Sequence, residues 1–227
     1  MGKPRRKRPY PILPGLVDCF PLKTREPREQ DVWSAESRGE PIPQSITYLR
    51  HQEIWPRVIE SGGNCAENSA IEDTLRASLV YKSWQQAMPF LKDVPILKKF
   101  RVGRMLPSEL SEAHDAILEH GMWLPAGQVL YHGGCFDSKR ATITDKLIST
   151  TLLPSVALVN ALKDKGQIAV FRIVDSESVR AFVYSSRGYQ RHKTEHEILL
   201  QSELALSPIS SQDVSGKLVN EYEVRPK

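Results

Sequence analysis

The periodicity of this chain changes at Gly121, and that change limits the folds open to it. Before it, apolar residues recur every three or four positions. In "AENSAIEDTLRASLVYKSWQQAMPFL", Ile71, Leu75, Leu79 and Trp84 sit at near-helical spacing, with Asn68 or Ser69 as candidate N-cap. "PSELSEAHDAILEHG" predicts a second helix: Pro107 opens it, Leu110, Ala113, Ile117 and Leu118 form its apolar stripe, and Gly121 ends it. After Gly121 come short apolar or alternating segments between turn residues: "GQVLYHGG", "KLISTTLL", "GQIAVFRIV", "VRAFVYSS", "HEILLQSELALS" and "KLVNEYEVRP". These read as strands. Helices followed by strands predict an α+β domain, with helices packed beside a sheet or split sheet.

Three stretches divide the chain. Residues 1–44 are rich in proline and charge and predict a basic, extended arm. Residues 45–65 hold a short helix, "SITYLRHQEIW", ended near Pro56, and the break "SGGN". Residues 66–227 hold the periodic segments and predict the folded domain. The net charge is +4, and "KPRRKR" alone carries five positive charges. A solvated tail is the favoured reading of that cluster; RNA, acidic lipid or an import receptor are the alternatives. No apolar run reaches the length of a membrane span, and the N-terminus lacks the apolar core of a secretory signal peptide. Cys19, Cys65 and Cys135 are too scattered for a disulfide framework or a zinc site, and predict reduced thiols.

Several familiar sites are missing: no phosphate-binding P-loop, no G-x-G-x-x-G, no G-x-S-x-G and no C-x-x-C. "HKTEH" (His192 to His196) matches a zinc-peptidase pattern, but that pattern needs a helix, and Gly188 and Ile198 on either side argue for none. No metal is expected. Read as strand residues, Glu195 and Glu197 of "KTEHEILLQ" project to one face, with His196 on the other. Two such acids alone describe a solvated sheet edge equally well. Their company gives them weight. "LYHGG" ends a strand in His132 and two glycines, and "LISTTLL" ends another in Ser149, Thr150 and Thr151. His132 and Ser149 stand 17 residues apart, Ser149 and Glu197 48 apart.

In that order, "YHG", "STT" and "EHEILL" resemble the three motifs of the mono-ADP-ribosyltransferase superfamily, the fold of bacterial ADP-ribosylating toxins, in its arginine–serine–glutamate branch. The resemblance covers roughly residues 66–227. It implies helices packed on a mostly antiparallel split β-sheet. Two positions depart from the branch. His132 stands where it has arginine, as in the diphtheria-toxin and poly-ADP-ribose polymerase branch, and Thr151 replaces the second serine of S-T-S.

The resemblance implies NAD as substrate and no metal. It implies Glu197 as the catalytic carboxylate at the ribose, Ser149 holding it, and Glu195 orienting or deprotonating the acceptor. His132, Gly133, Ser149, Thr150 and Thr151 become the expected NAD contacts. "YSSRGYQRHKTE" falls where the acceptor-recognition loop would be, with Gly188 at its turn and Tyr189 as stacking residue; an ordinary loop aromatic is the equal alternative for Tyr189. The chemistry suits these residue types, because cleaving nicotinamide from ribose builds up oxocarbenium character that a fixed carboxylate stabilises. The implied function is transfer of ADP-ribose to a macromolecular acceptor, first a protein arginine, by a bacterial toxin or effector delivered without a signal peptide and acting in the cytoplasm of a target cell, with an immunity protein as a possible partner. The alternatives are a nucleic-acid acceptor and a catalytically silent module that binds NAD or a partner.

Overall fold

In the computed structural model, which describes residues 15–20, 22, 29–39, 50–163, 166–184 and 196–227, the chain divides at Gly121 as its periodicity implies. Before it, among the described residues, lie α1 (Glu29–Ser37), α2 (Trp55–Glu60), α3 (Ala66–Ala77), α4 (Leu79–Ala87), α5 (Pro95–Arg101) and α6 (Leu110–His120). After it come the strands β1 (Met122–Trp123), β2 (Val129–Gly134), β3 (Thr142–Ile143) and β4 (Ile148–Thr151). One further helix, α7 (Pro154–Lys163), leads into β5 (Gln167–Ile173), β6 (Arg180–Val183), β7 (Glu197–Leu200), β8 (Leu204–Val214) and β9 (Lys217–Pro226). No helix among the described residues is long and apolar enough to cross a membrane.

The strands form one sheet in the order β1-β6-β7-β4-β2-β5-β9-β8-β3. All neighbours are antiparallel except the parallel pair β5–β9. The architecture is α+β with a mostly antiparallel sheet, as expected. The split is visible in the pairing. β2 runs against β5 from Val129↔Arg172 to Gly134↔Gln167, but meets β4 only at Tyr131↔Thr151. A single ladder pair is a weak seam in the sheet.

Alternation along β7 explains how both faces are covered. Ile198 and Leu200 enter the main core with Trp55, Ile71, Leu75, Trp84, Leu158, Phe171 and Tyr222. Leu199 points the other way, into a second cluster with Val94, Ile96 and Leu97 of the α5 region and Ala113 and Ile117 of α6. By the same period of two, Glu197 lies on the face that α5 covers.

Several local expectations change. The long helix expected over residues 66–91 breaks at Ser78, whose backbone is extended and whose hydroxyl accepts from Tyr81 N–H, capping α4. Leu79, expected on the apolar stripe, is therefore the first residue of a new helix and is 80% exposed. The cap of α3 is Cys65, not Asn68 or Ser69; Asn68 instead accepts from Ser155 N–H. Pro56 opens a helix where it was expected to end one, which costs nothing in a first turn that has no N–H partner to lose. "HEILLQSELALS" is two strands, β7 and β8, with Glu203 between them at a φ of 59°.

The arm also departs from expectation. Glu29–Ser37 is helical, and Val17 and Leu22 are buried in the main core. Val17 N–H donates to Gln128 Oε1 while Gln128 Nε2 donates to Val17 O, so this part of the arm is stitched to the strand region.

Candidate active site

The two glycines of "YHGG" are set by contact. A Cβ on Gly133 would lie 2.3 Å from Ala157 O and 2.4 Å from Ala161 N, so only glycine lets β2 pack this closely on α7. A Cβ on Gly134 would lie 2.3 Å from His132 Nε2. The imidazole therefore folds along its own strand, over the one residue type that leaves room for it. Phe136 and Phe171 flank the ring at centroid distances of 5.4 and 6.1 Å.

His132 Nδ1 lies 2.6 Å from Ser149 O. A carbonyl only accepts, so Nδ1 carries the proton and donates, and in the neutral ring Nε2 is then the acceptor nitrogen. This bond spans the seam just past Tyr131↔Thr151, where the ladder between β2 and β4 has stopped.

Ser149 Oγ donates to Glu197 Oε1 at 2.7 Å. The register explains the meeting. Thr151 pairs with Glu197 and Ser149 with Leu199, so Ser149 and Glu197 are diagonal neighbours on one face of the β4–β7 pair. A serine bonded to a carboxylate is a charge-assisted hydrogen bond and fixes the acid's orientation.

The other expected NAD contacts on these strands are engaged within the protein. Thr150 and Thr151 are buried. Thr150 Oγ1 donates to Ile198 O at 2.6 Å, and Thr151 Oγ1 accepts from Leu153 N–H at 3.0 Å. Gly133 faces α7. By alternation Thr150 turns away from the face that carries Ser149 and Glu197, while Thr151, directly opposite Glu197 in the ladder, shares that face.

Sequence reasoning missed Arg101. At the end of α5, its Nε stands 3.3 Å from Glu197 Oε2, with side-chain exposures of 7% and 12%. Its guanidinium carbon lies 4.3 Å from the centre of the Tyr184 ring. Burial raises the pKa of the Tyr184 hydroxyl, the Glu197 charge adds to that, and Arg101 opposes it. The available signals were a basic last turn in "PILKKFR" and a proline to open it, which describe a short helix but name no partner.

Glu195, Tyr189 and Gly188, expected at the acceptor side, and His192 of the zinc-like pattern lie outside the described residues. His196 is described. Its φ is 45°, and β7 begins only at Glu197, so strand alternation does not run back through His196 toward Glu195. His196 sits before a strand and not on a helix, packs its ring 5.4 Å from Tyr81, and has its pKa lowered by burial. Among the described residues no group of three or more His, Cys, Asp or Glu side chains is placed to hold a metal ion.

The site is thus a connected series from His132 through Ser149 to Glu197 and Arg101. Its carboxylate accepts a hydrogen bond at one oxygen and faces the Arg101 charge at the other, yet keeps acceptor capacity, since a carboxylate offers about four lone-pair positions. An oriented, desolvated carboxylate of this kind stabilises positive charge developing beside it.

No protein-family model matches the chain, and no curated protein matches it. Among solved structures the chain is similar to several bacterial proteins, each at a TM-score below 0.5. One is the C3 exoenzyme of Clostridium limosum, with 12% identity over 68% of this chain and 94% of that one and a TM-score of 0.47. Another is an ADP-ribosyltransferase of Clostridium botulinum, with 13% identity over 79% and 96% and a TM-score of 0.38. A third is exoenzyme S of Pseudomonas aeruginosa, in complex with human 14-3-3 protein beta and bound to carba-NAD, with 16% identity over 74% and 79% and a TM-score of 0.34. At TM-scores below 0.5 and identities of 16% or less, these matches carry no conclusion about this chain's reaction or acceptor.

Proposed function

We propose that the protein is an NAD-dependent mono-ADP-ribosyltransferase that moves ADP-ribose from NAD to a macromolecular acceptor. The observation that carries this reading is the union of three residues far apart in sequence: Ser149 Oγ on Glu197 Oε1 at 2.7 Å, and His132 Nδ1 on Ser149 O at 2.6 Å. These are the positions through which the sequence resembles the superfamily, and they meet where the sheet opens.

In this reading the ribose of NAD lies against Glu197. The bond between ribose C1′ and the nicotinamide nitrogen breaks, and its electron pair leaves with the nicotinamide, which departs neutral. The Glu197 carboxylate offsets the positive charge that grows on C1′ and the ring oxygen. Ser149 keeps that carboxylate from rotating away. His132 offers Nε2 to NAD, a ribose hydroxyl being the natural donor. The acceptor nucleophile then forms its bond to C1′ and gives up a proton, which Glu195 takes.

A protein arginine is the first acceptor, since a carboxylate at Glu195 can grip a guanidinium at two points. Tyr189 is the stacking residue of the acceptor loop. The setting proposed is a bacterial toxin or effector acting in the cytoplasm of a target cell, with an immunity protein as partner.

The test uses NAD labelled in its ADP-ribose part, incubated with the protein and, in separate samples, a cell lysate, RNA or buffer alone. Label fixed to protein, with nicotinamide released, is the expected result. Label on RNA would move the acceptor to nucleic acid, and no release from a folded protein would leave a silent binding module. Glu195→Gln is expected to lose transfer far more than it loses nicotinamide release. Equal losses would assign Glu195 to NAD instead, and no loss would remove it from the site.

A further inference from the structure

We infer that Arg101 is the positioning residue for Glu197, and that the space between Glu197 and the Tyr184 ring is a guanidinium slot which the chain fills from within. The first half rests on the role proposed for Glu197; the slot does not.

Four contacts meet there. Arg101 Nε lies 3.3 Å from Glu197 Oε2, with both side chains almost closed to solvent. The guanidinium carbon stands 4.3 Å from the centre of the Tyr184 ring. The Tyr184 hydroxyl donates to Leu97 O at 3.3 Å, which ties the ring to α5, the helix that carries Arg101. Tyr184 N–H donates to Glu197 O at 3.2 Å, which ties the same ring to the backbone of the acid. Ring, carboxylate and helix are therefore fixed to one another.

Only a planar cation can use this arrangement fully. A guanidinium lies flat on an aromatic face and still presents N–H groups at its edge to a carboxylate; an ammonium is a compact point charge and does one or the other. Ser149 donates to one oxygen of Glu197 and the Arg101 charge stands beside the other, so the two together favour one orientation of the carboxylate. Without Arg101 the ion pair at Oε2 is lost, and a small loss of alignment at a reacting centre is costly in rate. The place of Arg101 at the last residue of α5 also suits its charge, since helix C-termini favour cations.

Alanine at 101 removes the fork and leaves the ring and the carboxylate. A free guanidinium ion then has both of its partners waiting. The experiment compares wild type, Arg101→Ala, Arg101→Lys and the double variant Arg101→Ala with Glu197→Gln. It measures nicotinamide release and, separately, the thermal midpoint, each with millimolar guanidinium chloride or matched sodium chloride.

For Arg101→Ala, kcat is expected to fall about 100-fold while KM for NAD stays within about threefold, because alignment is lost and NAD binding is not. Guanidinium should restore kcat by about tenfold or more and raise the midpoint of Arg101→Ala, as binding to the folded state does. It should do neither in wild type or in the double variant. Arg101→Lys should stay near the alanine variant. A kcat for Arg101→Ala within about threefold of wild type would overturn the positioning role, as would near-wild-type kcat in Arg101→Lys. No guanidinium response in either readout would overturn the slot. If the wild-type protein releases no nicotinamide, the proposed function fails, while the midpoint series still decides the slot. If Arg101→Ala does not fold, Arg101→Lys decides the positioning role by its kcat, and by whether guanidinium raises its midpoint.

Discussion

The two sides of the sheet are held together by different means. On one side, β5 pairs with β9 from Ile168↔Val219 to Ile173↔Val224, and β8 with β9 from Leu204↔Pro226 to Val214↔Lys217. Phe171 and Tyr222 are fully buried within that side and pack on each other at 5.9 Å. On the other side, β4, β6 and β7 are four residues each. Polar side chains there do part of the holding: Ser149 on Glu197, Thr150 on Ile198 O, and Arg101 between Glu197 and Tyr184. The sides meet at Tyr131↔Thr151, and just past that pair His132 reaches across to Ser149 O. Where the backbone ladder ends, side chains take over, and those side chains are the candidate catalytic ones. Long ladders and aromatic packing carry stability on one side; alignment of charge and hydrogen bonds is concentrated on the other.

Substitutions should separate the two. Leu206→Ala removes a fully buried side chain from the long-ladder side and should cost about 2–5 kcal/mol of unfolding free energy, read by urea titration. The fraction still folded should release nicotinamide at close to the normal rate. Ser149→Ala should do the reverse. Losing a hydrogen bond to a charged group should raise the barrier by about 1.5–3 kcal/mol, read as kcat, with a smaller change in the urea midpoint. A kcat effect from Leu206→Ala equal to that of Ser149→Ala would abolish the distinction.

Gly134→Ala tests the seam itself. The added carbon would sit 2.3 Å from His132 Nε2, so the imidazole must move and its bond across to Ser149 O must lengthen or break. Overpacking of this kind costs roughly 1–3 kcal/mol. Adding His132→Ala to Gly134→Ala removes the crowded ring and should recover most of the stability but not the turnover.

The smallest effect expected is a pH dependence shared by both sides. His51, near Glu221 on the long-ladder side, and His196, beside β7, each have a pKa lowered from 6.5 by burial. Glu221 opposes that shift for His51 and Glu72 for His196; Arg172 and Arg76 respectively add to it. Below 6.5 the unfolded chain binds protons that the folded chain resists, so stability is full above that value and falls as the pH drops through it. Urea midpoints measured from about pH 7 down to about pH 5.5 should therefore decline, and His196→Phe should flatten part of the decline.

How much of this was legible in the sequence follows from what is local. The switch at Gly121 is a matter of periodicity, so helices and strands could be told apart. His132, Ser149 and Glu197 could be named because each ends or begins a strand-like run in a definite order. Arg101 could not. Its helix is seven residues long, too short to display a period, and its partner lies far along the chain at Glu197. The helix α7 was missed because "PSVALVNALK" follows a strand directly and reads as more of the same apolar run. Val17 and Leu22 are isolated apolar residues in a proline-rich stretch, and nothing local announces that they are buried. Thr150 and Thr151 were read by their neighbourhood to Ser149, and nothing local told that Thr150 Oγ1 donates to Ile198 O and Thr151 Oγ1 accepts from Leu153 N–H.

The central claim is that the Glu197 carboxylate, held by Ser149 at this seam, cleaves NAD. The most direct measurement is the rate of nicotinamide release by the wild-type protein and by Glu197→Gln, which keeps the size of the side chain and an oxygen for Ser149 while removing the charge. Release by wild type and a loss of at least about 100-fold in the variant, on the order of 3 kcal/mol in transition-state stabilisation, is the expected result, with the circular-dichroism spectrum unchanged. A folded variant that turns over NAD within a few-fold of wild type would contradict it.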